Sequence, residues 1–204
     1  MRLETVLGTE ILYEASGEIR LGHIYPEVDV IKDMIKVYRP NWFIELGVHE
    51  GGLSYILMRQ FPILQYFGIK LDCSIVRPEV RRLFDRQPNY LYCGDCFSSL
   101  VYESLKYIVQ TSKTGIFYCD GGNKAKEINF FADIMKRGDI IMCHDYYDES
   151  REPTGLDGFG TTLEFPKPEV LFSDIEGFYR SDDNWQVLTD PDFTETRIIA
   201  FMRK

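Results

Sequence analysis

Hydrophobic and polar positions follow two periods along most of the chain, and together they predict strands alternating with helices. Apolar residues three and four apart lie between Pro26 and Pro40, which is typical of an amphipathic helix. Short continuous apolar runs instead predict buried strands. The predicted strands are Trp42–Leu46, Tyr66–Leu71, Tyr90–Cys93, Gly115–Cys119, Asp139–Cys143, Trp185–Leu188 and Arg197–Met202.

Helical spacing fills the segments between the first five strands. These helices are predicted at Leu53–Gln60, at Pro78–Arg86, at Phe97–Gln110 with Leu100, Val101, Leu105 and Ile108 inward, and at Lys124–Arg137. Such alternation indicates an α/β fold with a doubly wound, mostly parallel sheet. The loop between the last two strands is too short for a helix. We therefore expect a seven-stranded sheet that ends in a C-terminal antiparallel hairpin.

The length predicts one domain, residues 27–204, after an N-terminal extension, residues 1–26. Residues 146–168 are rich in Gly, Pro and charge and have no period. We expect this segment to form a flap over the edge of the sheet where ligands bind. Apolar residues near the N-terminus could pair subunits into a homo-oligomer; they are Val6, Leu7, Ile11 and Leu12.

The net charge and the composition of the chain limit the kinds of partner that we expect. The net charge of −9 argues against a nucleic-acid partner, because an acidic surface repels phosphates. No apolar run approaches the roughly 18 residues that a membrane span needs, so we expect no membrane insertion. The five cysteines are odd in number and lie in or beside predicted strands, which favours reduced thiols in a cytoplasmic protein. Cys93 and Cys96 have CxxC spacing, but no second pair accompanies them to complete a zinc site.

Acidic side chains stand at or after the ends of the first five predicted strands, where ligands bind in doubly wound sheets. Any one of them fits a helix cap or a turn, but together they indicate an acidic crevice that binds hydroxyl groups. They are Glu45, Asp72, Asp95, Asp120 and, after His144, Asp145.

The turn after the first strand indicates what the crevice binds. Its glycines, Gly47 and Gly51-Gly52, do not form the GxGxxG motif that approaches a diphosphate. His49 stands where the second glycine should be, and Glu50 would face a diphosphate with like charge. Asp72, 25 residues after Gly47, is placed to accept both ribose hydroxyls. We expect a nucleoside without phosphates that carries a cationic tail.

With these features the chain resembles the class I (Rossmann-like) S-adenosylmethionine-dependent methyltransferases over residues 27–204. The resemblance rests on Glu45-Leu-Gly-x-x-x-Gly-Gly, Asp72, Gly94-Asp95, Asp120 and the closing hairpin. The pairing of Asp120-Gly121 with His144-Asp145 is similar to that of small-molecule O-methyltransferases. It is closest to the branch with the cephalosporin hydroxylase-like and macrocin O-methyltransferase-like proteins.

The resemblance implies roles around S-adenosylmethionine. Gly47 and Gly51 would let the backbone approach its methionine part, and Glu45 would fix this loop near the sulfonium. The two glycines could equally be ordinary turn glycines. Ser54 is shifted by one position from the Ser or Thr that many relatives have after the glycine pair.

The nucleoside part would meet the ends of the second and third strands. The resemblance implies that Asp72 holds the ribose and that Asp95 meets the adenine amino group, with Cys96 and Phe97 beside the ring. Asp95 could also cap the helix that starts near Phe97.

The same subgroup often has a divalent ion beside the sulfonium. Here the resemblance implies that Asp120, which also contacts the cofactor, would hold Mg²⁺ or Mn²⁺ with His144 and Asp145. The ion would lower the pKa of a substrate hydroxyl, and these three residues would be catalytic. His144 could be the general base or simply a hydrogen-bonded strand-end residue. Asn123 stands where many relatives have a histidine, which puts base catalysis there in doubt.

Two further histidines, His23 and His49, are weaker candidates. His23-Ile24-Tyr25 could fold over the site, but for His23 we favour a surface role. The favoured function is O-methylation of a small hydroxylated metabolite, such as a sugar or another natural-product hydroxyl. The acceptor would lie under the flap, against Tyr146, Tyr147 and Phe159. The alternatives are a hydroxylase or oxidoreductase on the same scaffold and a non-catalytic S-adenosylmethionine-binding protein.

Overall fold

Strands and helices alternate through the described part of the chain. The computed structural model describes residues 2–6, 9–14, 17–20, 23, 25–86, 88–147, 170–180, 184–189 and 198–204. Its strands are β1 (Arg2–Val6), β2 (Thr9–Glu14), β3 (Gly17–Arg20), β4 (Trp42–Leu46), β5 (Gln65–Lys70), β6 (Tyr90–Cys93), β7 (Gly115–Cys119), β8 (Ile140–Cys143), β9 (Tyr146–Tyr147), β10 (Val170–Leu171), β11 (Trp185–Val187) and β12 (Ile199–Arg203). Its α-helices are α1 (Tyr25–Tyr38), α2 (Gly52–Gln60), α3 (Pro78–Phe84), α4 (Ser99–Thr111), α5 (Lys124–Phe131) and α6 (Phe172–Arg180).

The central sheet has seven strands in the order β11-β12-β8-β7-β4-β5-β6. The neighbours from β8 to β6 pair in parallel, and β12 runs antiparallel to both β8 and β11. The predicted doubly wound sheet with an antiparallel C-terminal strand is therefore confirmed. From β4 the chain adds β5 and β6 on one side of the sheet, and then returns to add β7 and β8 on the other side. The carboxyl ends of β4 and β7 therefore border the crevice expected in such sheets.

The strands bury both faces because successive side chains point to opposite sides. On β4, Phe43 packs on one face, whereas Trp42 and Ile44 pack on the other. Helices α1, α2 and α3 cover the Phe43 face, and α4, α5 and α6 cover the Trp42 face. This burial on two sides explains why the parallel strands read as continuous apolar runs.

Two helices differ from prediction. Helix α4 buries Val101, Leu105 and Val109, whereas Leu100 is 66% exposed, so the predicted inward position of Leu100 is wrong. Helix α5 ends at Phe131 and continues as a 3₁₀ turn at Ala132–Ile134. Helix α6 and the antiparallel sheet β1-β2-β3 are absent from the predicted elements.

The ends of the predicted flap are paired, because β9 lies parallel to β10. Tyr146 is buried in the core beside Val170, so it does not offer the predicted stacking surface. Residues 148–169, with Phe159, lie outside the described residues, as does Leu7 of the predicted subunit-pairing set. Among the helices that are described, none is both long and apolar enough to cross a membrane.

A disulfide joins Cys73 to Cys93, so the predicted reduced state is wrong for these two cysteines. Cys73 follows β5 and Cys93 ends β6, and the parallel pairing of these strands brings the two thiols together. Cys93 is therefore paired with Cys73 and does not form a redox pair with Cys96. Cys96, Cys119 and Cys143 are free thiols. Because disulfides persist mainly in oxidising compartments, this bond does not support the predicted cytoplasmic location.

Reduction of the Cys73–Cys93 bond is expected to lower the free energy of unfolding by about 3 kcal/mol, because the bond closes a loop across a sequence separation of 20 residues. Urea unfolding with and without a reductant measures this change. The Cys73→Ser/Cys93→Ser double variant should be insensitive to reductant, whereas the Cys96→Ser control should keep the wild-type response. Equal sensitivity of the double variant would contradict the assignment.

Candidate functional site

A crevice of about 560 Å³ lies at the carboxyl ends of the parallel strands. Most of the residues predicted to bind the cofactor or to act in catalysis line it. They are Glu45, Gly47, Asp95, Cys96, Phe97, Asp120, His144 and Asp145.

Gly51 and Asp72 are used differently from the prediction. Gly51 caps α2 with φ of 96°, and a Cβ there would lie 2.6 Å from Val80, so packing against α3 accounts for this glycine. The Asp72 carboxylate accepts hydrogen bonds from the backbone N–H (2.8 Å) and the hydroxyl (2.9 Å) of Ser74. Lys70, not Asp72, is the charged residue of this strand end that lines the crevice. The crevice is therefore of mixed charge and not purely acidic.

The predicted adenine-side residues line the crevice but also have local partners. The Asp95 carboxylate accepts a hydrogen bond of 2.9 Å from the Phe97 backbone N–H in the turn before α4, whose N-cap is Ser98 and not Asp95. The Lys126 ammonium lies over the Phe97 ring, 3.7 Å from the ring centroid. Burial raises the pKa of the Cys96 thiol to about 12, so this cysteine is an uncharged wall residue.

The backbone around position 47 leaves no room for a Cβ, so only glycine fits there. Its φ is 89°, and a Cβ there would lie 2.1 Å from the carbonyl oxygen of Asp120. The Gly47 N–H donates to the Ile69 carbonyl at 2.9 Å, and the Asp120 N–H donates to the Leu46 carbonyl at 3.1 Å. The first loop is thus fixed between the ends of β5 and β7, which sets the floor of the crevice.

Glu45 is a buried carboxyl group at the end of β4. The Ser54 hydroxyl donates to its Oε2 atom, and the Tyr66 hydroxyl donates to the same atom at 2.6 Å. The position of Ser54, one residue later than in the implied motif, is therefore used for this contact. Burial, opposed by these two hydrogen bonds and assisted by the charge of Asp120, raises the pKa of Glu45 to about 7.

Asp120 is the centre of a buried charge cluster. Its Oδ2 atom lies 3.1 Å from His23 Nε2, and its Oδ1 atom lies 3.4 Å from both His144 Nδ1 and Lys124 Nζ. Asp145 completes this side, with its Oδ2 atom 3.3 Å from His144 Nδ1 and 3.2 Å from Lys124 Nζ. Asp145 has φ of 59°, in the left-handed region that Asp adopts more readily than most residues.

Glu27, in the first turn of α1, closes the cluster from the opposite side. Its Oε1 atom lies 2.9 Å from His144 Nε2, and its Oε2 atom lies 3.6 Å from His23 Nδ1. His23, Glu27 and His144 are only 5%, 2% and 7% exposed. The predicted surface role of His23 is therefore wrong, because His23 is buried against Asp120.

Opposite charges dominate the protonation of the cluster. Burial alone would lower the pKa of His23, but the Asp120 charge raises it to about 9. Burial would also lower the pKa of His144, yet the neighbouring carboxylates of Asp120, Asp145 and Glu27 hold it well above its usual range. Burial would raise the pKa of Glu27, but the two histidines beside its carboxylate lower it to about 2. At neutral pH the cluster is therefore a network of ion pairs.

Asn123 acts as a helix cap and not as a base. Its side-chain oxygen accepts a hydrogen bond of 3.1 Å from the Lys126 backbone N–H at the start of α5. The Glu127 carboxylate accepts backbone N–H groups of Gly121 (3.0 Å) and Asn123 (3.3 Å). These contacts hold the loop after β7 beside the crevice.

The predicted Mg²⁺ or Mn²⁺ ligands, Asp120, His144 and Asp145, have donor atoms within 4.8 Å of one another. However, the Lys124 ammonium lies beside the same two carboxylates, and an ion between them would have to displace it. Mg²⁺ also prefers six oxygen ligands, and this set offers an imidazole among only two carboxylates. The arrangement therefore fits Mg²⁺ poorly, and either predicted ion would require Lys124 to move away.

Several residues of the site were not predicted: His23 in its buried position, Glu27, Lys70, Tyr66 and Lys124. His23 with Glu27, and Asp120 with Lys124, are each four residues apart, with one member in the first turn of a helix and the other just before that helix. Nothing in the sequence shows that the segment before α1 returns to the ends of β7 and β8.

No protein-family model and no curated protein sequence matches this chain. Solved structures do match its fold. An O-methyltransferase family protein from Burkholderia thailandensis is 13% identical with a TM-score of 0.55, over 88% of this chain and 55% of that protein. The O-methyltransferase TomG from Streptomyces achromogenes, in complex with S-adenosylmethionine, is 11% identical with a TM-score of 0.54, over 90% of this chain and 82% of that protein.

Human N-acetylserotonin methyltransferase, also solved with S-adenosylmethionine, is 13% identical with a TM-score of 0.53, over 87% of this chain and 51% of that protein. The chain thus spans about half the length of two of these three proteins. At such low identities the likeness shows the fold, which is that of Rossmann-like methyltransferases.

The Gly47→Ala variant is expected to lose more than about 2 kcal/mol of unfolding free energy, because a Cβ at positive φ would overlap the Asp120 carbonyl. Gly122→Ala is the matched control in the same crevice, since a Cβ there meets nothing within 4 Å. Chemical unfolding of both variants checks this. Equal losses in the two variants would contradict the backbone contact.

The Glu45→Gln variant is expected to change the pH dependence of stability. A carboxyl group whose pKa is raised from its unfolded value to about 7 is most stabilising when protonated, so its contribution is lost as pH rises through 7. Unfolding free energies at pH 5 and pH 8 should show the variant gaining relative to wild type at the higher pH. Parallel profiles would contradict the raised pKa; Glu103→Gln, on the exposed side of α4, is the control.

Proposed function

We propose that this protein is an S-adenosylmethionine-dependent O-methyltransferase that acts on a small hydroxylated metabolite, such as a sugar or another natural-product hydroxyl. The observation that carries the proposal is the crevice of about 560 Å³ at the carboxyl ends of the parallel strands, where eight of the predicted site residues come together. Solved proteins of this fold include an O-methyltransferase in complex with S-adenosylmethionine.

The first loop lacks a feature of diphosphate-binding turns. Asp120 lies directly against Gly47, and the loop has His49, with φ of 45°, in place of the second glycine of a diphosphate motif. The charge of Asp120 is already balanced by His23, His144 and Lys124, so it is the absence of this glycine that disfavours a diphosphate. Lys70, at the end of β5, is a further cationic residue that lines the crevice.

The proton of the acceptor hydroxyl needs a base when the methyl group moves from sulfur to oxygen. His144 already carries a proton at neutral pH, and the lowered pKa values of Asp120 and Asp145 make them weak bases. Glu45, with a pKa of about 7, is better matched to accept a proton. In this proposal His144, Asp120 and Asp145 orient the acceptor hydroxyl, and proximity supplies most of the rate enhancement.

Other features remain predictions. Assistance by Mg²⁺ or Mn²⁺ at Asp120, His144 and Asp145 is one, and the reaction described above does not depend on it. A cytoplasmic location and a homo-oligomeric state are two more.

Isothermal titration calorimetry with S-adenosylmethionine and with S-adenosylhomocysteine tests the cofactor. We expect dissociation constants between about 1 μM and 1 mM. Asp95→Ala should weaken binding about tenfold, because Asp95 lines the crevice and a hydrogen bond to a carboxylate contributes about 1.5 kcal/mol. Asp72→Ala is the matched control, an exposed capping aspartate that does not line the crevice.

Three results would overturn the proposal or part of it. Absence of binding by either nucleoside would remove the function altogether. Binding without transfer of a labelled methyl group to any of a panel of sugars and glycosides would favour the non-catalytic alternative. Binding of a nicotinamide cofactor or iron in place of S-adenosylmethionine would favour the oxidoreductase alternative.

A further inference from the structure

A second set of metal-type ligands lies on the Nε2 side of the His144 ring. It consists of His23, Glu27 and His144, whose donor atoms lie within 4.8 Å of one another. All three side chains are buried, unlike the exposed acidic groups that commonly cluster without an ion. They come from the residue range before α1, from the first turn of α1 and from the end of β8.

Two ring nitrogens of this set point at one carboxylate without a regular hydrogen bond. His23 Nδ1 lies 3.6 Å from Glu27 Oε2, and His144 Nε2 lies 2.9 Å from Glu27 Oε1. Among the described residues, neither nitrogen has a hydrogen bond of acceptable geometry, although both are buried. Ligand atoms around a tetrahedral ion with bonds of 2.1 Å are about 3.4 Å apart, which is close to these separations.

Asp120 accepts from the opposite edge of both rings. Its Oδ2 atom lies 3.1 Å from His23 Nε2, and its Oδ1 atom lies 3.4 Å from His144 Nδ1. Metal-binding histidines usually give their second ring nitrogen to a carboxylate or carbonyl, which fixes the ring and its tautomer. One carboxylate supplies that support to both histidines here.

The formal charges of the cluster also accommodate one divalent ion. Glu27, Asp120 and Asp145 carry three negative charges, and Lys124 supplies one positive charge in contact with the last two. The remaining two negative charges can be balanced by protons on both imidazoles or by a single divalent ion. Exchange of one for the other leaves the buried cluster neutral, so ion binding adds no uncompensated buried charge.

We propose that His23, Glu27 and His144 bind a divalent transition-metal ion, with Asp120 orienting both histidines. Two imidazoles and one carboxylate form a ligand set that suits Zn²⁺ and its first-row neighbours, not Mg²⁺. The ion would join the segment before α1 to the end of β8. It differs from the predicted ion at Asp120, His144 and Asp145, whose two carboxylates are occupied by Lys124. This site does not depend on methyl transfer and can be tested without it.

Cobalt(II) and zinc titrations of the tag-free full chain, stripped with a chelator and dialysed, test the site. We expect one equivalent of Co²⁺ to bind with visible d–d absorption bands, and Zn²⁺ to displace it. His23→Ala and the isosteric Glu27→Gln should each weaken Zn²⁺ binding at least about tenfold in calorimetry. Circular dichroism identifies a variant that has lost its fold, and Glu27→Gln keeps the shape of the side chain.

Asp145→Asn separates the two sites. Asp145 contacts His144 and Lys124 but is not a ligand of the proposed ion, so this variant should retain tight Zn²⁺ binding. The proposal is overturned if wild-type protein binds neither ion at millimolar concentration. It is also overturned if Asp145→Asn abolishes binding while folded Glu27→Gln keeps wild-type affinity, since the ion would then lie at Asp120 and Asp145.

Discussion

Neutralisation of buried charge is the constraint on which the site depends. The Asp120 side chain is only 13% exposed and lies among His23, His144 and Lys124. A carboxylate largely removed from water is costly unless cations and hydrogen-bond donors replace the solvent. The position of β7 fixes Asp120, because its backbone N–H is bonded to the end of β4 and its carbonyl lies against Gly47. The cations must therefore come to Asp120, and each is delivered by a different element: the segment before α1, the start of α5 and the end of β8.

This constraint links the N-terminal residues to the sheet. His23 belongs to the predicted extension 1–26, and Glu27 is the first acidic residue of the predicted domain, yet both contact the same buried cluster. Ile19 of β3 is also buried in the core that includes Val28 and Ile31 of α1. A boundary drawn at residue 26 would separate groups that share charges and packing, so the first part of the chain contributes directly to the candidate site.

The sequence was most informative where one local rule applied. The strands β4, β6 and β7 match the predicted bounds because each is a short apolar run bounded by Pro, Gly or polar residues, and the sheet follows from their alternation with helices. The sequence predicts the position of helix α4 but not which face is buried, since Leu100 and Val109 are both compatible with an amphipathic face.

Contacts between distant segments could not be predicted. The Cys73–Cys93 bond follows from the pairing of β5 with β6, and the burial of His23 follows from the return of the N-terminal segment to the strand ends. Strand β5 ends at Lys70, one residue before the predicted end; Lys70 lines the crevice, whereas the Asp72 carboxylate caps the following turn. The acids Glu45, Asp95, Asp120 and Asp145 were found because the ends of parallel strands share one edge.

The disulfide has a consequence for local unfolding. Among the described strands, β6 lies at the edge of the central sheet and pairs only with β5, so its hydrogen bonds should be among the first to open by fraying. Cys93 is its last residue, and the bond to Cys73 anchors this end directly before Gly94 and Asp95. In the oxidised protein, the amide hydrogens at the adenine side of the crevice should therefore exchange as slowly as those of the stable core. Once the bond is reduced, the same amide hydrogens should exchange faster, by local fraying of β6.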